Sequence, residues 1–384
     1  MSNYFLSNNK SDCNGCGVCF LKCPQKAIKM QIDQEGFLYP IIDKEKCIEC
    51  KLCEKICPNK EYKINDKVTA YIAINKDEEQ LKSSASGGCF LPIAQYIISQ
   101  KGVVFGARYD NNLNVIHDYT EEMDKLKMFQ GSKYVRSDLN NAYIKVKQFL
   151  LDDRYVLFSG TPCQCQGLRT YLGKKYEKLY TCEIICHANS SPRVFNLYKK
   201  NLEKNNNKSI EDIRFRDKSN GWKNQKTIIK FSDGTIQEDL SFYLGFVNEL
   251  FNRPSCHNCN FCSSNRLSDF TIGDAWGINE IDPSIIDDDT GISLFCINTE
   301  KGMKLKNIIE EKLNLRKTNV EIAFKHNHYQ NVKEHKKRKE FLKKIDIGEI
   351  DEKNIIDNIK MYTKVSFIQK CLNKIKAIYL KIKK

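Results

Sequence analysis

The sequence is poor in several features that mark common protein classes. It has only eight prolines in 384 residues and no low-complexity linker. No apolar run approaches the roughly 20 residues needed to span a bilayer, and residues 1–10 lack the apolar core of an export signal. Neither a GxGxxG fingerprint nor a Walker A sequence is present. We therefore expect a cytoplasmic protein without a standard Rossmann or P-loop nucleotide site.

The positive charge is concentrated at one end of the chain. The formal net charge is +14, and residues 301–384 hold 23 Lys and Arg against 10 Asp and Glu. The preceding residues are close to neutral and show no aromatic-interleaved basic surface, so we expect no nucleic-acid partner. The run Lys336-Lys337-Arg338-Lys339 is interpreted as a solvated helix face.

Cysteine is abundant, and eight of the 18 cysteines form two copies of one pattern. In each copy three cysteines at intervals of three are followed by a fourth and then by proline. This is the ligand pattern of a two-cluster bacterial-type ferredoxin, in which the fourth cysteine of each run ligates the other cluster. On this rule the first [4Fe-4S] cluster takes Cys13, Cys16, Cys19 and Cys57, and the second takes Cys47, Cys50, Cys53 and Cys23. The pattern predicts electron transfer.

Other uses of these cysteines fit less well. Zinc needs four ligands per site, and two CxxC pairs could supply them, but zinc has no use for a repeated third cysteine and a Cys-Pro. A disulfide framework belongs to small secreted chains. The two runs are therefore interpreted as cluster ligands in a reducing compartment.

The remainder of the chain predicts a larger domain of alternating strands and helices. A short hairpin is expected between the two cysteine runs, and a strand signal begins near Val68. The fold class predicted is α+β or α/β: a small two-cluster module, a larger mixed-sheet domain and a helical C-terminal tail. The predicted boundaries are 1–67, 68–330 and 331–384.

A second group of cysteines predicts a third metal site. Cys163 and Cys186 each follow an apolar strand, where open α/β sheets collect ligands, and a CxxCxxC run begins at Cys256. The predicted ligands of a third [4Fe-4S] cluster are Cys163, Cys186, Cys256 and Cys259, with Cys165 and Cys262 as substitutes. A structural zinc in the CxxCxxC run stays open as an alternative, and Cys182, Cys296 and Cys371 are interpreted as inert apolar residues.

Four loops rich in glycine and serine fall at predicted element ends. They are residues 83–88, 131–134, 160–162 and 273–277. Glycine lets the backbone approach a ligand closely, and a helix N-terminus favours an anion such as a phosphate. Each loop alone could be a turn, but together they predict one cleft.

These loops carry a family resemblance that covers about three quarters of the chain. The strings SSASGG, GSKYVRS, LFSGTPCQ, ICH, RPSCHNCNF and DFTIGDAWG resemble the beta-subunit family of coenzyme F420 hydrogenases and dehydrogenases. The resemblance implies a bound FAD, a further cluster in the flavin domain and oxidoreductase chemistry. Carried onto this chain, it implies flavin contacts from Ser84, Ser86, Gly87, Gly88, Ser132, Lys133, Thr161 and Pro162. No catalytic residue is assigned.

One loop departs from the family pattern, because His187 is followed by Ala188-Asn189-Ser190-Ser191-Pro192 rather than Gly-Val-Pro-Ser. The departure leaves open whether F420 or another reducible small molecule is the substrate. The alternative function is a non-catalytic, ferredoxin-like electron-carrier subunit. The expected partners are a redox protein or a small electron donor.

The tail follows an apolar 4,3,4,3 spacing from Met361 to Ile382, with lysines off that seam. A basic amphipathic helix over 358–384 can rest on an anionic membrane surface or grip a partner helix, or it can fold back on its own domain. These alternatives stay open at the sequence level.

Overall fold

The computed structural model describes residues 9–59, 65, 67–224, 226–327 and 330–364. It confirms the predicted fold class: a small N-terminal ferredoxin-like module, a large mixed sheet and a helical C-terminal region. The strands are β1 (Ile28–Ile32), β2 (Leu38–Ile42), β3 (Thr69–Asn75), β4 (Val103–Tyr109), β5 (Val115–Thr120), β6 (Val156–Gly160), β7 (Leu179–Ile184), β8 (Ile210–Asp217), β9 (Lys226–Phe231), β10 (Ile236–Glu238), β11 (Phe270–Asp274), β12 (Ser293–Ile297) and β13 (Leu313–Thr318).

The α-helices alternate with these strands and then close the chain. They are α1 (Val18–Lys22), α2 (Leu52–Lys55), α3 (Glu78–Ser83), α4 (Phe90–Ser99), α5 (Ala142–Leu151), α6 (Pro162–Leu172), α7 (Pro192–Asn206), α8 (Ser241–Val247), α9 (Ile278–Ile281), α10 (Glu300–Met303), α11 (Lys306–Lys312), α12 (Val320–Phe324), α13 (Arg338–Asp346) and α14 (Ile355–Thr363). Single 3₁₀ turns span Lys10–Asp12, Asp124–Phe129 and Pro254–Asn258.

The N-terminal module has almost no hydrophobic core of its own. Strands β1 and β2 form the expected antiparallel hairpin, and Gly36 supplies its turn with a φ of +87°. Among its described residues, Phe37 and Tyr39 form a small buried apolar cluster, whereas Val18 of α1 packs into the core of the large domain. A unit this small needs a metal or a neighbour for stability, and the neighbour is helix α6, which α1 contacts.

The large domain is built on an eight-stranded sheet in the order β13-β3-β12-β11-β7-β6-β4-β5. Strands β4, β6, β7 and β11 run parallel to their neighbours in this series, and the other pairings are antiparallel. The carboxyl ends of parallel strands meet at one edge, which is where such sheets bind ligands. The loops after β6, β7 and β11 therefore converge.

The C-terminal helices pack back onto the body of the protein. Helices α13 and α14 join α7, α8 and the three-stranded sheet β10-β9-β8 in one apolar cluster, in which Ile355 and Ile359 are fully buried. The interpretation of Lys336–Lys339 as a solvated face is wrong for Arg338, which is buried, pairs with Glu35 of the module and donates to the carbonyl of Asn252.

No helix among the described residues is long and apolar enough to cross a membrane. Met361, the first residue of the apolar seam, is exposed. The rest of that seam falls in residues 365–384, outside the described residues.

Candidate functional site

The cysteines of the N-terminal module line two separate cavities. Cys13, Cys16, Cys19 and Cys57 surround the first, of about 40 Å³. Burial, reinforced by the neighbouring thiols, raises the pKa of Cys16 to about 12. Such thiols ionise only where a nearby positive charge stabilises the thiolate, which is what an iron centre provides.

The second cavity, of about 30 Å³, is bordered by the other four cysteines of the module: Cys23, Cys47, Cys50 and Cys53. The structure thus brings together the two sets that the crossed ligand rule predicts, and Cys53 also borders the first cavity. Cys50 is exposed. The second site is therefore the one at the molecular surface.

A third cavity of about 30 Å³ collects cysteines from distant parts of the large domain: Cys163, Cys186, Cys256, Cys259 and Cys262. Cys165, one of the predicted substitutes, is not among them, because it turns into the core beneath α6 and is 1% exposed. Cys262, the other substitute, does line the cavity.

Polar groups point at the sulfurs of this third cavity. The Thr161 hydroxyl lies 3.2 Å from Cys163 Sγ, and Arg136 donates to the same sulfur at 3.5 Å. The backbone N–H of Asn189 donates to Cys256 Sγ at 3.3 Å. Hydrogen bonds to cluster sulfurs stabilise the reduced form of an iron–sulfur centre. The donor set therefore fits a thiolate-ligated cluster.

A much larger cavity of about 340 Å³ lies beside the third one, at the carboxyl ends of β4, β6, β7 and β11. All four glycine- and serine-rich loops contribute to its wall, as the sequence predicts. Ligand and cofactor cavities commonly range from about 300 to 1,000 Å³, so a cofactor-sized group fits.

Six of the eight predicted flavin contacts line this cavity: Ser84, Ser86, Gly88, Ser132, Lys133 and Thr161. Gly87 does not, because its N–H donates to Ser293 Oγ at 2.8 Å and a Cβ would collide with the carbonyl of Ala73. Pro162 opens helix α6 and lines the third cysteine cavity instead. Gly87 therefore belongs to the backbone behind the cavity wall, and Pro162 lies at the third cysteine cavity.

Lys133 is bound by its own loop. Its ammonium donates to the carbonyls of Gln130 at 2.7 Å, Met128 at 3.0 Å and Gly131 at 3.4 Å. Burial lowers the pKa of Lys133 to about 7. The ammonium is therefore held by backbone carbonyls, and its charge changes near neutral pH.

A buried chain of hydrogen bonds links the large cavity to a third-cavity cysteine. His117 Nδ1 lies 2.8 Å from Ser137 Oγ, which also accepts from Gln164 Nε2 at 2.8 Å. Gln164 Oε1 accepts from both the N–H and the hydroxyl of Thr161, the residue that contacts Cys163. These hydrogen bonds fix the orientation of Thr161, which lines both the large cavity and the third cysteine cavity.

The opposite wall carries a paired cation. Both terminal nitrogens of Arg216 donate to Asp274, at 2.5 and 2.9 Å, and Trp222 Nε1 donates to the same carboxylate at 3.1 Å. Trp222 stacks on Trp276, with ring centroids 4.6 Å apart. Arg216 Nε has no partner among the described residues. This wall offers a hydrogen-bond donor and an aromatic face to a ligand.

The third cavity and the large cavity share part of their walls. The shared residues are Thr161, Cys186, His187, Ala188 and Asn189. His187 pairs with the buried carboxylate of Glu249, which also lies 3.7 Å from His257 Nδ1. A cluster held by Cys186 would therefore adjoin a group bound in the large cavity.

Sequence reasoning assigned no role to His117, Gln164, Arg216, Glu249 or Arg253. Each of them has at least one partner that is distant in the sequence, and no spacing indicates such a contact. Two local signals were available: Arg253 lies three residues before Cys256, and Gln164 is the last residue of the LFSGTPCQ string.

Two family profiles match the chain. Residues 12–60 match the 4Fe-4S dicluster domain, and residues 153–322 match the C terminus of the beta subunit of coenzyme F420 hydrogenase/dehydrogenase. The larger domain is therefore similar to the beta subunits of coenzyme F420 hydrogenases and dehydrogenases, and the N-terminal module is similar to two-cluster ferredoxin domains. The two matches confirm the predicted resemblance and the prediction of an iron–sulfur electron-transfer protein.

Among solved structures, this chain is similar to one chain of the F420-reducing [NiFe] hydrogenase complex from Methanosarcina barkeri, determined as a xenon derivative. The identity is 17%, the match covers 66% of this chain and 83% of that chain, and the TM-score is 0.44. No curated protein matches the chain.

Proposed function

We propose that the protein is an FAD- and [4Fe-4S]-dependent oxidoreductase that relays electrons between its clusters and a reducible small molecule bound at the flavin. The observation that carries the proposal is the shared wall between the third cysteine cavity and the large cavity. A flavin exchanges electrons in pairs or singly, and so can join a hydride substrate to one-electron clusters.

The large cavity suits a flavin in size and in chemistry. Helix α4 begins at its wall, where Gly88, Cys89 and Phe90 leave backbone N–H groups without intrahelical partners. Such a helix start favours phosphate. A Cβ on Gly131 would meet no atom within 4 Å, so this loop borders open space. These features support phosphates near α4 and 131–134.

The third cysteine cavity would hold the predicted third [4Fe-4S] cluster. Cys163, Cys186, Cys256 and Cys259 are the proposed ligands, because the other three thiols lie close enough to Cys186 to interact with it electrostatically. Cys262 lies next to Cys259 and near Arg266 instead. We assign Cys262 as the residue left over.

The residues of the chain then have separate tasks. Asn189 donates a hydrogen bond to Cys256, the Thr161 hydroxyl contacts Cys163, and the Arg216–Asp274 pair fixes one wall. Lys133, with its pKa of about 7, would hold a proton near the flavin and favour a reduced, anionic ring.

Electrons would enter or leave at the surface cluster. The second cavity is the exposed one, the first borders it through Cys53, and the third adjoins the large cavity. This order supports a protein redox partner at the N-terminal module.

Membrane contact through the 358–384 helix stays a prediction. Deletion of 365–384 should abolish binding to anionic liposomes if it is right and leave binding unchanged if it is wrong.

The test is spectroscopic and uses the full chain purified without oxygen. We expect a flavin absorbance band. It should bleach together with the cluster absorbance when F420H₂, NADH, NADPH or a reduced ferredoxin is added. Bleaching of the clusters in a protein with no flavin band would contradict the proposal and favour the non-catalytic electron carrier. Zinc in place of iron at the third site would exclude the third cluster.

A further inference from the structure

Two arginines of the large domain lie between the first and the third cysteine cavities. Arg136 donates to Cys163 Sγ at 3.5 Å and, through its other terminal nitrogen, to the carbonyl of Gly15 at 3.2 Å. Arg253 donates to the carbonyls of Cys13 at 2.9 Å and Leu38 at 3.0 Å. Each guanidinium therefore contacts the ligand loop of the first site.

Both arginines also belong to the third site. Arg253 precedes the 3₁₀ turn that carries Cys256, and its N–H donates to the carbonyl of Asn189 at 2.8 Å. The same two side chains thus contact the ligand loop of the first site and belong to the surroundings of the third.

These charges are deeply buried. Arg136 is 8% exposed and Arg253 is 1% exposed. Among the described residues neither forms an ion pair with a carboxylate, unlike the similarly buried Arg338, which pairs with Glu35. An isolated buried charge is costly unless an opposite charge compensates it. The thiolate sites on either side are the available anions.

We propose that Arg136 and Arg253 are fixed counter-charges that bridge the first and third clusters and stabilise the reduced form of both. The inference rests on the third cluster of the proposed function. A cluster gains one negative charge on reduction, so a nearby fixed cation stabilises the reduced state and raises its reduction potential. The surface cluster, at the far side of the module, lacks these two contacts.

The consequence is a gradient of reduction potential along the three clusters. Electrons that enter at the second cluster would move to the first and third clusters, beside the large cavity. Arg253 also stacks on Tyr39, at 4.1 Å from the ring centroid, which fixes the module against the domain. Both arginines are therefore positioning residues: they act on the clusters and touch no substrate.

A redox titration monitored by electron paramagnetic resonance separates charge from packing. The variants are Arg136→Gln and Arg253→Gln, with Arg136→Lys to keep the charge. Arg214→Gln is the matched control, because Arg214 is exposed and paired with Asp212. Iron, sulfide and flavin are measured on each preparation, so that loss of a cluster is seen directly.

Arg136→Gln should lower the reduction potential of the third cluster by at least about 59 mV. For a one-electron couple this is a tenfold change in the equilibrium constant of reduction. Arg253→Gln should shift the first cluster in the same direction. Arg136→Lys, Arg214→Gln and the second cluster should stay near the parent values. Loss of iron in Arg136→Gln but not in Arg136→Lys would also support a counter-charge.

Unchanged midpoints in Gln variants that keep about 12 irons would overturn the counter-charge while leaving the proposed function intact. Loss of iron in Arg136→Lys as well would overturn it too, because packing alone would then explain the effect. About eight irons in the parent would instead refute the third cluster, and the bridging role with it.

Discussion

A Cβ on Gly15 would lie 3.0 Å from the guanidinium of Arg253. Gly15 belongs to the first cluster loop of the module, whereas Arg253 introduces the third group of cysteines 238 residues later. The glycine therefore does more than permit its φ of +65°: it opens the space in which the two modules meet.

Gly15→Ala should accordingly be more harmful than Gly17→Ala. Gly17 has a similar φ of +74°, but a Cβ there would meet nothing within 4 Å. Both variants carry the backbone cost of a left-handed residue, about 1–2 kcal/mol. Only Gly15→Ala also displaces Arg253. Anaerobic thermal unfolding with iron content should show the difference, and equal effects of the two variants would contradict it.

Cys163→Ala and Cys165→Ala form a second matched pair, two positions apart on helix α6. Cys163 lines the third cavity, whereas Cys165 is buried in the core. Cys163→Ala should reduce the iron content from about 12 to about eight per chain. Cys165→Ala should keep all the iron and lose about 1 kcal/mol of stability from a small cavity. A full iron content in Cys163→Ala would exclude it as a ligand.

Stability should fall between about pH 6.5 and 4 because of His117. Burial lowers the pKa of His117 from 6.5 to about 4, so the folded state keeps it neutral while the unfolded chain takes up a proton. The contribution of His117 to the free energy of unfolding is therefore at its maximum above about pH 6.5. It falls by about 3 kcal/mol as the pH drops to 4.

His117→Asn should remove this part of the pH dependence, although it also lowers stability at neutral pH by loss of the contacts with Ser137 and Ser159. Denaturant unfolding of both proteins between pH 5 and 8 measures the slope. Identical slopes would show that His117 is not the neutral, buried group that the structure indicates.

Asp274→Asn should loosen the wall of the large cavity. The change weakens the buried, bidentate pair with Arg216 and the contact with Trp222, and breaking a buried pair costs about 3–5 kcal/mol. Flavin per chain should fall while iron stays constant. Asp282→Asn is the control, because its pair with Arg316 is exposed and worth about 0–1 kcal/mol. Equal flavin loss in both would contradict this role.

Local patterns in the sequence predicted much of this molecule. The cysteine spacing grouped eight residues into the two sets that line two cavities. The strand predicted near Val68 begins at Thr69, and the helix predicted after residues 83–88 is α4. Periodicity and turn residues act over short distances, so the sequence reveals such elements directly.

Relationships between distant segments were not predictable in this way. Helix α13 contains a basic run, but Arg338 is buried against Glu35, 303 residues earlier in the chain. Spacing alone made Cys165 a plausible ligand of the third cluster. Its position on helix α6 instead directs its sulfur into the core. Tertiary packing decides which side of an element faces a site.

The most direct measurement is the amount of iron, sulfide and flavin per chain after purification without oxygen. We predict about 12 irons, an equal amount of sulfide and one FAD, which corresponds to three [4Fe-4S] clusters and one flavin. About eight irons with no flavin would leave only the ferredoxin-like module in use and would contradict the proposed oxidoreductase.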